Sequence, residues 1–470
     1  MEQTYRKPVN QEIFDKYITK EQYGDFKDIL DEILHRRAYE FRFDPDRMEE
    51  EAQNLANNVK AIEFMTDEEH DMLDSPDTLA IFKGEEKKIK INATFYKKLE
   101  EVYSKYYPPQ TAKYLLGKDM YSILTHEIYH GINYREDDGL GLVERDKMTG
   151  IITGGYLNEI VTESAATRTV KNKDNVTYQN GYMGTIGYQT TTCFTSLLAN
   201  AIGVSERDLL AHALYDRAEF EGFFHRANEH SFSHEESEEH FKNILYMTSL
   251  LSHPSIGVQS QNAPIAFEHM YNTLFELAAE HMRLDDRPLS EELIGEHQFR
   301  GQRMMAIADS SLDYLVRENY VTEEERNAIY KKAGVPHYIR NIMIGSALSF
   351  ARMKGIDSES IEDLDFMLAN DMRKNMPKYQ VGMMNVIADD YTQKAKWDEG
   401  AYLYVAKVLD KEYLRHIAPE KTEEKIGIFD PSKIKVENIG VGNILINGDQ
   451  SQNKGQTGTG RDDDDSDDAR

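Results

Sequence analysis

The sequence predicts an α+β protein that is mostly α-helical, with a small antiparallel β-hairpin and a long helical C-terminal region. Apolar residues recur at helical spacing in residues 10–70 and through most of residues 189–420. Residues 78–96 change to the two-residue period of β-strands. A chain of 470 residues, 40% of them hydrophobic, is long enough to form two or three folded domains.

The first elements are charged amphipathic helices in residues 10–70, where Phe26 and Leu30 illustrate the spacing of one buried face. Residues 79–82 and 88–92 then predict the two strands of a hairpin. Lysine and isoleucine alternate in the second strand. We therefore expect its lysines to face solvent along an exposed edge of the sheet.

The most informative stretch is a His-Glu-x-x-His motif formed by His126, Glu127 and His130. It lies in a run of helical spacing that no proline interrupts before Tyr134. Residues four apart share one face of a helix, so both imidazoles can bind one metal ion. Glu127 is then placed to act as a general base toward a metal-activated water, as in zinc peptidases.

A third ligand is expected downstream, where glycines 154 and 155 precede a predicted helix. Glu159 and Glu163 are four residues apart there and share a face. The first motif, followed by Asn158-Glu159 and an acidic residue four positions later, resembles the gluzincin metallopeptidases, the thermolysin-like and aminopeptidase-like group. The resemblance covers residues 78–172 and implies a zincin-like core.

Carried over by position, the resemblance implies that His126, His130 and Glu159 bind a Zn²⁺ ion. It implies that Glu127 is the general base. Glu163 would be an outer carboxylate that orients a ligand histidine, such as His126.

The sequence departs from the family pattern between His130 and Glu159, where the chain is longer than in the well-known members. The additional residues, 136–150, are polar and contain glycine, so a surface loop can accommodate them. The departure leaves the choice between Glu159 and Glu163 as third ligand open.

Zinc peptidases often use a tyrosine or histidine outside the ligand set to stabilise the oxyanion. Tyr182 and Tyr188 lie in a glycine-rich stretch after the second motif, and His212 follows. Tyr182 is the candidate that we select for this role. Core packing with a bonded hydroxyl is the competing explanation for any one of the 28 tyrosines.

A second group of histidines lies in residues 223–240, where His230 and His234 are four residues apart. A second metal site is conceivable there. The serines between these histidines and the glutamates after them favour a solvated loop or a helix cap instead.

The net charge of −28 argues against partners that need a basic surface. We expect no nucleic acid partner and no membrane association. Part of this charge belongs to an acidic end, residues 462–468. The expected partner is a peptide or protein substrate, and a protein partner for the helical region or the acidic tail is left open.

Cys193 is the only cysteine, so no intramolecular disulfide can form and nothing indicates an oxidising compartment. Its apolar neighbours predict a small buried side chain rather than a nucleophile. The chain shows neither a signal-peptide core nor an apolar run of membrane-spanning length. We therefore expect a cytoplasmic protein.

Changes in hydrophobic spacing and composition along the chain predict five segments. They are an N-terminal helical segment (1–75), a zincin-like catalytic core (76–190), a helical domain (191–420), a short β-like segment (421–447) and a disordered acidic tail (448–470).

Together, the motifs predict a zinc-dependent peptidase, a hydrolase in which Glu127 is the general base. One version of this hypothesis is an enzyme that cleaves a specific intracellular protein in a regulatory or defence system. The alternative is a non-catalytic regulatory or binding protein on a zincin scaffold. The intact Glu127 counts against it, because a scaffold does not need its base.

Overall fold

The computed structural model describes residues 11–73, 78–135, 139–145, 152–171, 193–252, 261–288, 290–317, 319–332 and 402–417. The predicted β-like segment 421–447 and acidic tail 448–470 lie outside these residues. By its contacts the chain divides into two units, Met1–Lys425 and Ile426–Arg470. All described residues belong to the first unit.

Helices make up most of the described chain and surround one small sheet, so the α+β, mostly helical class is confirmed. The helices are α1 Gln11–Asp15, α2 Lys20–Tyr23, α3 Phe26–Phe41, α4 Pro45–Asn58, α5 Asp67–Asp71, α6 Ala93–Tyr106, α7 Pro109–Asn133, α8 Gly155–Lys171, α9 Cys193–Ala201, α10 Glu206–Ala213, α11 Arg217–Ala227, α12 His234–Leu251, α13 Ala263–Leu284, α14 Glu291–Arg317, α15 Glu323–Lys332 and α16 402–417. The strands are β1 Ala61–Phe64, β2 Ala80–Lys83, β3 Lys88–Ile91, β4 Tyr134–Arg135, β5 Gly139–Leu140, β6 Glu144–Arg145 and β7 Ile152–Thr153. Among the helices of the described residues, none has the length and apolar character that crossing a bilayer requires.

The predicted hairpin is present as β2 and β3, which pair antiparallel with Phe82 opposite Ile89. Strand β1 pairs parallel with the other side of β3, so the sheet is mixed, in the order β1-β3-β2. The prediction that β3 is an exposed edge with outward lysines is therefore wrong. Lys90 is buried and forms ion pairs with Glu63 of β1 and Glu69 of α5.

The N-terminal helices pack against the helices that carry the motifs, α4 on α7 and α3 on α8. Arg37 of α3 is fully buried and forms a two-point ion pair with Glu51 of α4, at 2.5 and 2.8 Å. Its guanidinium also lies 4.1 Å from the ring centroid of Tyr129 and 3.3 Å from Asn133 Oδ1. The N-terminal segment thus holds the last turn of α7 in place.

Helix α16 packs against the middle of α7 although it lies far along the chain. Gly117 permits the approach, because a Cβ at that position would lie 1.7 Å from the Tyr402 carbonyl oxygen. The ring of Tyr402 lies 5.6 Å from that of Tyr121. Further along α16, Lys411 forms an ion pair with Asp25, just before α3. Helix α16 therefore joins α7 to the N-terminal segment.

The downstream helices are arranged around α9, all of whose side chains are buried. Helix α9 packs on α13 and α14 and also contacts α8, which connects these helices to the motif helices. Cys193 opens α9 beside the hydroxyl groups of Ser311 and Tyr271, and burial raises the pKa of its thiol to about 11. The prediction of a small buried side chain is confirmed.

Candidate metal centre

Helix α7 places the three residues of the first motif inside the protein. His126, Glu127 and His130 are all buried near its C-terminal end. The two imidazoles lie on one face, with ring centroids 4.6 Å apart and Nε2 atoms 2.9 Å apart. Their ring nitrogens thus converge on one point, as expected for residues one helical turn apart.

Helix α8 brings Glu159 to the same point. Its Oε2 atom lies 3.3 Å from His126 Nε2 and 3.2 Å from His130 Nε2. One ligand atom from each of the three residues lies within 4.8 Å of the other two. We call His126, His130 and Glu159 the central donor set.

The chemistry of the central donor set fits a zinc ion. Two imidazole nitrogens and one carboxylate oxygen are the protein ligands of many catalytic zinc sites, which keep a fourth position open. The histidine side chains are only 9% and 6% exposed, whereas that of Glu159 is 22% exposed. The set is therefore accessible to solvent from the Glu159 side.

Glu163 lies one turn further along α8 and contacts the opposite edge of His126. Its Oε2 atom is 2.9 Å from His126 Nδ1, and its side chain is buried. A carboxylate at Nδ1 fixes the ring so that Nε2 faces Glu159. The geometry therefore favours Glu159 as the third ligand and Glu163 as the residue that orients His126.

Asn158 contacts the second histidine, and no sequence pattern indicated this contact. Its side-chain nitrogen lies 3.3 Å from His130 Nδ1, and its oxygen accepts a hydrogen bond of 3.3 Å from the Leu142 amide. Leu142 is buried. The only available signal for Asn158 was its place beside Glu159 in the second motif.

The additional residues between the two motifs form more structure than the predicted surface loop. Strands β4 and β5 pair antiparallel, as do β6 and β7. Gly154 then starts α8 with φ +79°, and a Cβ there would lie 2.2 Å from the Leu142 carbonyl oxygen. This segment thus packs closely against the start of α8.

Strand β2 contacts the candidate base. The backbone amide of Phe82 donates a hydrogen bond of 2.7 Å to Glu127 Oε2. Burial raises the pKa of Glu127 above its ordinary value, although His126 and His130 act in the opposite direction. No sequence pattern indicates the Phe82 contact, because it involves a backbone group.

Opposite charges face each other across the central donor set. Burial alone would lower the pKa of His126, but the carboxylates of Glu159 and Glu163 outweigh it and raise that pKa well above 6.5. Burial would raise the pKa of Glu159, but the imidazoles of His130 and His126 outweigh it and lower that pKa. A cation that binds here would therefore replace protons on the imidazoles.

The proposed oxyanion donor, Tyr182, lies outside the described residues, as does Tyr188. His212 is described, and its contacts are with α11. Its Nδ1 atom lies 2.7 Å from Glu219 Oε1, and its ring stacks on Phe223 with a centroid distance of 4.2 Å.

His230 and His234 are four residues apart but do not share a helix. His234 is the first residue of α12, which Ser233 and Glu236 cap in a capping box. His230 precedes the cap, and its Nδ1 atom lies 3.1 Å from Asp286 Oδ1. The predicted helix cap is confirmed, and these two histidines do not form a metal site together.

Comparisons of the chain with models of protein families, with curated proteins and with solved structures find no match. A functional assignment therefore rests on the two motifs and on the arrangement of their side chains.

Proposed function

We propose that this protein is a zinc-dependent peptidase with a zincin-like core of the gluzincin type. The observation that carries the proposal is the convergence of His126, His130 and Glu159, with the carboxylate of Glu127 beside them. The contact of Glu163 with His126 gives further support, because a carboxylate at Nδ1 holds that ring with Nε2 toward Glu159.

His126, His130 and Glu159 would hold the ion. Bound zinc would polarise the scissile carbonyl and lower the pKa of a water molecule to about 7. Glu127 would take the proton of the attacking water and transfer it to the leaving amine. Its raised pKa suits this role, since a base works best when its pKa lies close to the working pH.

The Phe82 amide would keep Glu127 in position during these transfers. It binds one carboxylate oxygen, Oε2, and leaves Oε1 for the reacting water. Strand β2 is an edge strand of the sheet and packs on α7. An extended peptide could therefore add along β2 by backbone hydrogen bonds.

Elemental analysis of the purified chain tests the proposal. After dialysis against zinc-free buffer, we expect about one zinc ion per chain in the wild type and none in His126→Ala. His269→Ala, which changes an exposed histidine on α13, is the matched control and should retain the ion. If neither the wild type nor the control binds zinc even when it is supplied, the proposal is wrong.

Activity on casein and on a panel of peptides separates the two versions of the hypothesis. Hydrolysis of many substrates would indicate a broad protease. Hydrolysis of none, by a chain that retains zinc at the central donor set, would favour the single-substrate enzyme or the non-catalytic alternative.

A further inference from the structure

The chain between the two motifs comes back to the central donor set through residues 139–145, which we call the return segment. Its Gly141 amide donates a hydrogen bond of 3.1 Å to the Asn133 carbonyl, at the end of α7. The next amide, that of Leu142, donates a hydrogen bond of 3.3 Å to Asn158 Oδ1. The return segment therefore joins the end of the first motif helix to the start of the second.

The contact between the return segment and Asn158 is close and buried. A Cβ at Gly141 would lie 3.2 Å from Asn158 Oδ1, so a larger residue there would press on the amide. Asn158 is 2% exposed and Leu142 is 1% exposed. Water cannot readily replace a lost partner in such a place, so an N–H group beside this amide depends on it for an acceptor.

Asn158 carries one acceptor atom, Oδ1, and one donor group, Nδ2, on the two arms of its planar amide. In the structure Oδ1 faces the Leu142 amide, and Nδ2 lies 3.3 Å from His130 Nδ1. His130 Nδ1 is thus the acceptor of this hydrogen bond. A neutral imidazole whose Nδ1 accepts a hydrogen bond carries its proton on Nε2, the nitrogen that faces Glu159.

Metal binding reverses the hydrogen-bonding needs of the His130 ring. His130 Nε2 must give up its proton to bind an ion, so the proton of the neutral ring resides on Nδ1 and needs an acceptor. Rotation of the Asn158 amide brings Oδ1 to that proton. The same rotation turns Nδ2 toward the Leu142 amide, and two donors then face each other.

We propose that the Asn158 amide couples metal binding at His130 to the docking of the return segment. The amide can accept a hydrogen bond from the Leu142 N–H or from His130 Nδ1–H, but not from both at once. The metal-bound ring therefore takes the acceptor away from Leu142, and docking through Leu142 disfavours the metal-bound ring. The two effects are equal in free energy, because coupling between two binding events is reciprocal.

The far end of the return segment is held by exposed contacts. Glu144 forms an ion pair of 3.0 Å with Arg217, and the Glu144 side chain is 62% exposed. Arg217 also donates a hydrogen bond to Thr153 Oγ1, on the strand that pairs with β6. Exposed ion pairs contribute little to stability. We therefore expect loss of the Leu142 hydrogen bond to loosen the return segment.

Amide hydrogen exchange in the full-length chain, made with isotope-labelled leucine, tests the proposal. We expect saturating Zn²⁺ to speed up exchange of the Leu142 amide by about 3–10-fold, because that group loses one hydrogen bond. The Leu124 amide, inside α7, is the internal control and should exchange no faster. Leu142→Ile removes one labelled leucine and so identifies the signal. A metal ion that only stiffened its surroundings would slow exchange of Leu142 instead.

Asn158→Asp is the matched variant, because a carboxylate accepts hydrogen bonds through both oxygens. It can serve Leu142 and His130 together. Zinc should therefore leave the exchange of the Leu142 amide unchanged in this variant. Equal acceleration of that exchange in the wild type and in Asn158→Asp would overturn the coupling.

The inference rests on the proposed function only through the metal centre, and the zinc content of the same samples separates the two. Bound zinc in the wild type, with exchange of the Leu142 amide unchanged or slowed, would overturn the coupling and leave the metal centre standing. A wild type that binds no zinc would refute the metal centre, and the coupling with it.

Discussion

Glu163 Oε2 lies 2.9 Å from His126 Nδ1, on the opposite edge of the imidazole from Glu159. A histidine that binds a metal through Nε2 keeps a proton on Nδ1, and a carboxylate there accepts it. The two glutamates of α8 therefore have different places around one ring, although they share a helical face.

This difference predicts unequal effects on zinc affinity. Glu159→Ala should lose zinc on dialysis, because it removes a ligand. Glu163→Ala should keep zinc with affinity reduced by about 10–100-fold, because it removes only the partner of His126. Zinc dissociation constants from competition with a chelator measure both, and Glu163→Gln should lie closer to the wild type. The reverse order would exchange the roles of the two glutamates.

Glu127→Gln should separate metal binding from hydrolysis. The amide keeps the size of the side chain but cannot take a proton from water. We expect zinc content to stay unchanged and kcat on a cleaved peptide to fall by about 10²–10⁴-fold. Glu101→Gln, at an exposed position of α6, is the matched control. Equal turnover by Glu127→Gln and the wild type would refute the proposed mechanism.

Asn158→Leu should weaken zinc binding without removing a ligand. Zinc at Nε2 leaves a proton on His130 Nδ1. After rotation of its amide, Asn158 is the neighbouring side chain whose Oδ1 can accept a hydrogen bond from that proton and so orient the ring in its buried site. We expect zinc affinity to fall by about 10–100-fold. Asn200→Leu, at a buried asparagine of α9, controls for a general loss of packing and should leave zinc affinity unchanged. An unaltered dissociation constant in Asn158→Leu would exclude the orienting role.

The burial of the His35 imidazole leads us to expect that the protein loses stability in mild acid. Its ring packs edge-on against Phe14, and its Nε2 atom lies 2.7 Å from Gln11 Oε1. Burial lowers its pKa from 6.5 to about 4. His35 therefore binds a proton less readily in the folded state than in the unfolded state. Its contribution to the free energy of unfolding is complete above pH 6.5 and is lost as the pH falls toward 4. By pH 5 the loss is about 2 kcal/mol.

Urea denaturation at pH 7 and pH 5 measures this effect. His35→Gln should show a smaller difference between the two pH values than the wild type, because glutamine does not titrate. Some difference in stability between the two pH values should remain in this variant, because His281 contributes in the same way. Burial and Arg300 lower the pKa of His281 to about 3. An identical difference in the variant and the wild type would contradict the assignment to His35.

The first half of the central donor set could be predicted from sequence because its geometry is local. His126 and His130 lie one turn apart in a long helix, so their spacing alone places both rings on one face. Glu159 and Glu163 have the same spacing in α8. The choice between them depends on how α8 crosses α7, which no local pattern encodes.

The prediction that β3 is an exposed edge failed for the same physical reason, because the deciding contact is distant in sequence. Alternating lysines in β3 are typical of a strand with one solvated face. One partner of Lys90 is Glu63 of β1, a strand that precedes α5 and β2 in the sequence. Because β1 pairs in parallel from that distance, the pattern within β3 could not reveal that it is the central strand.

The histidines near α12 show where spacing arguments fail. A separation of four residues places His230 and His234 on one face only if both belong to one helix. The cap at Ser233 starts α12 after His230. The chain turns at this point, so the neighbour of His234 is His225 across the junction.

The packing of α16 on α7 affects how the protein is made. Lys411 and its partner Asp25 are 386 positions apart. At about 5–20 residues per second, a ribosome adds that much chain in about 20–80 s. Until residues 402–417 have been synthesised, the nascent α7 lacks α16, the helix that covers Gly117. The core beside the middle of α7 is thus completed late in synthesis, and a product terminated before residue 402 would leave that side of α7 uncovered.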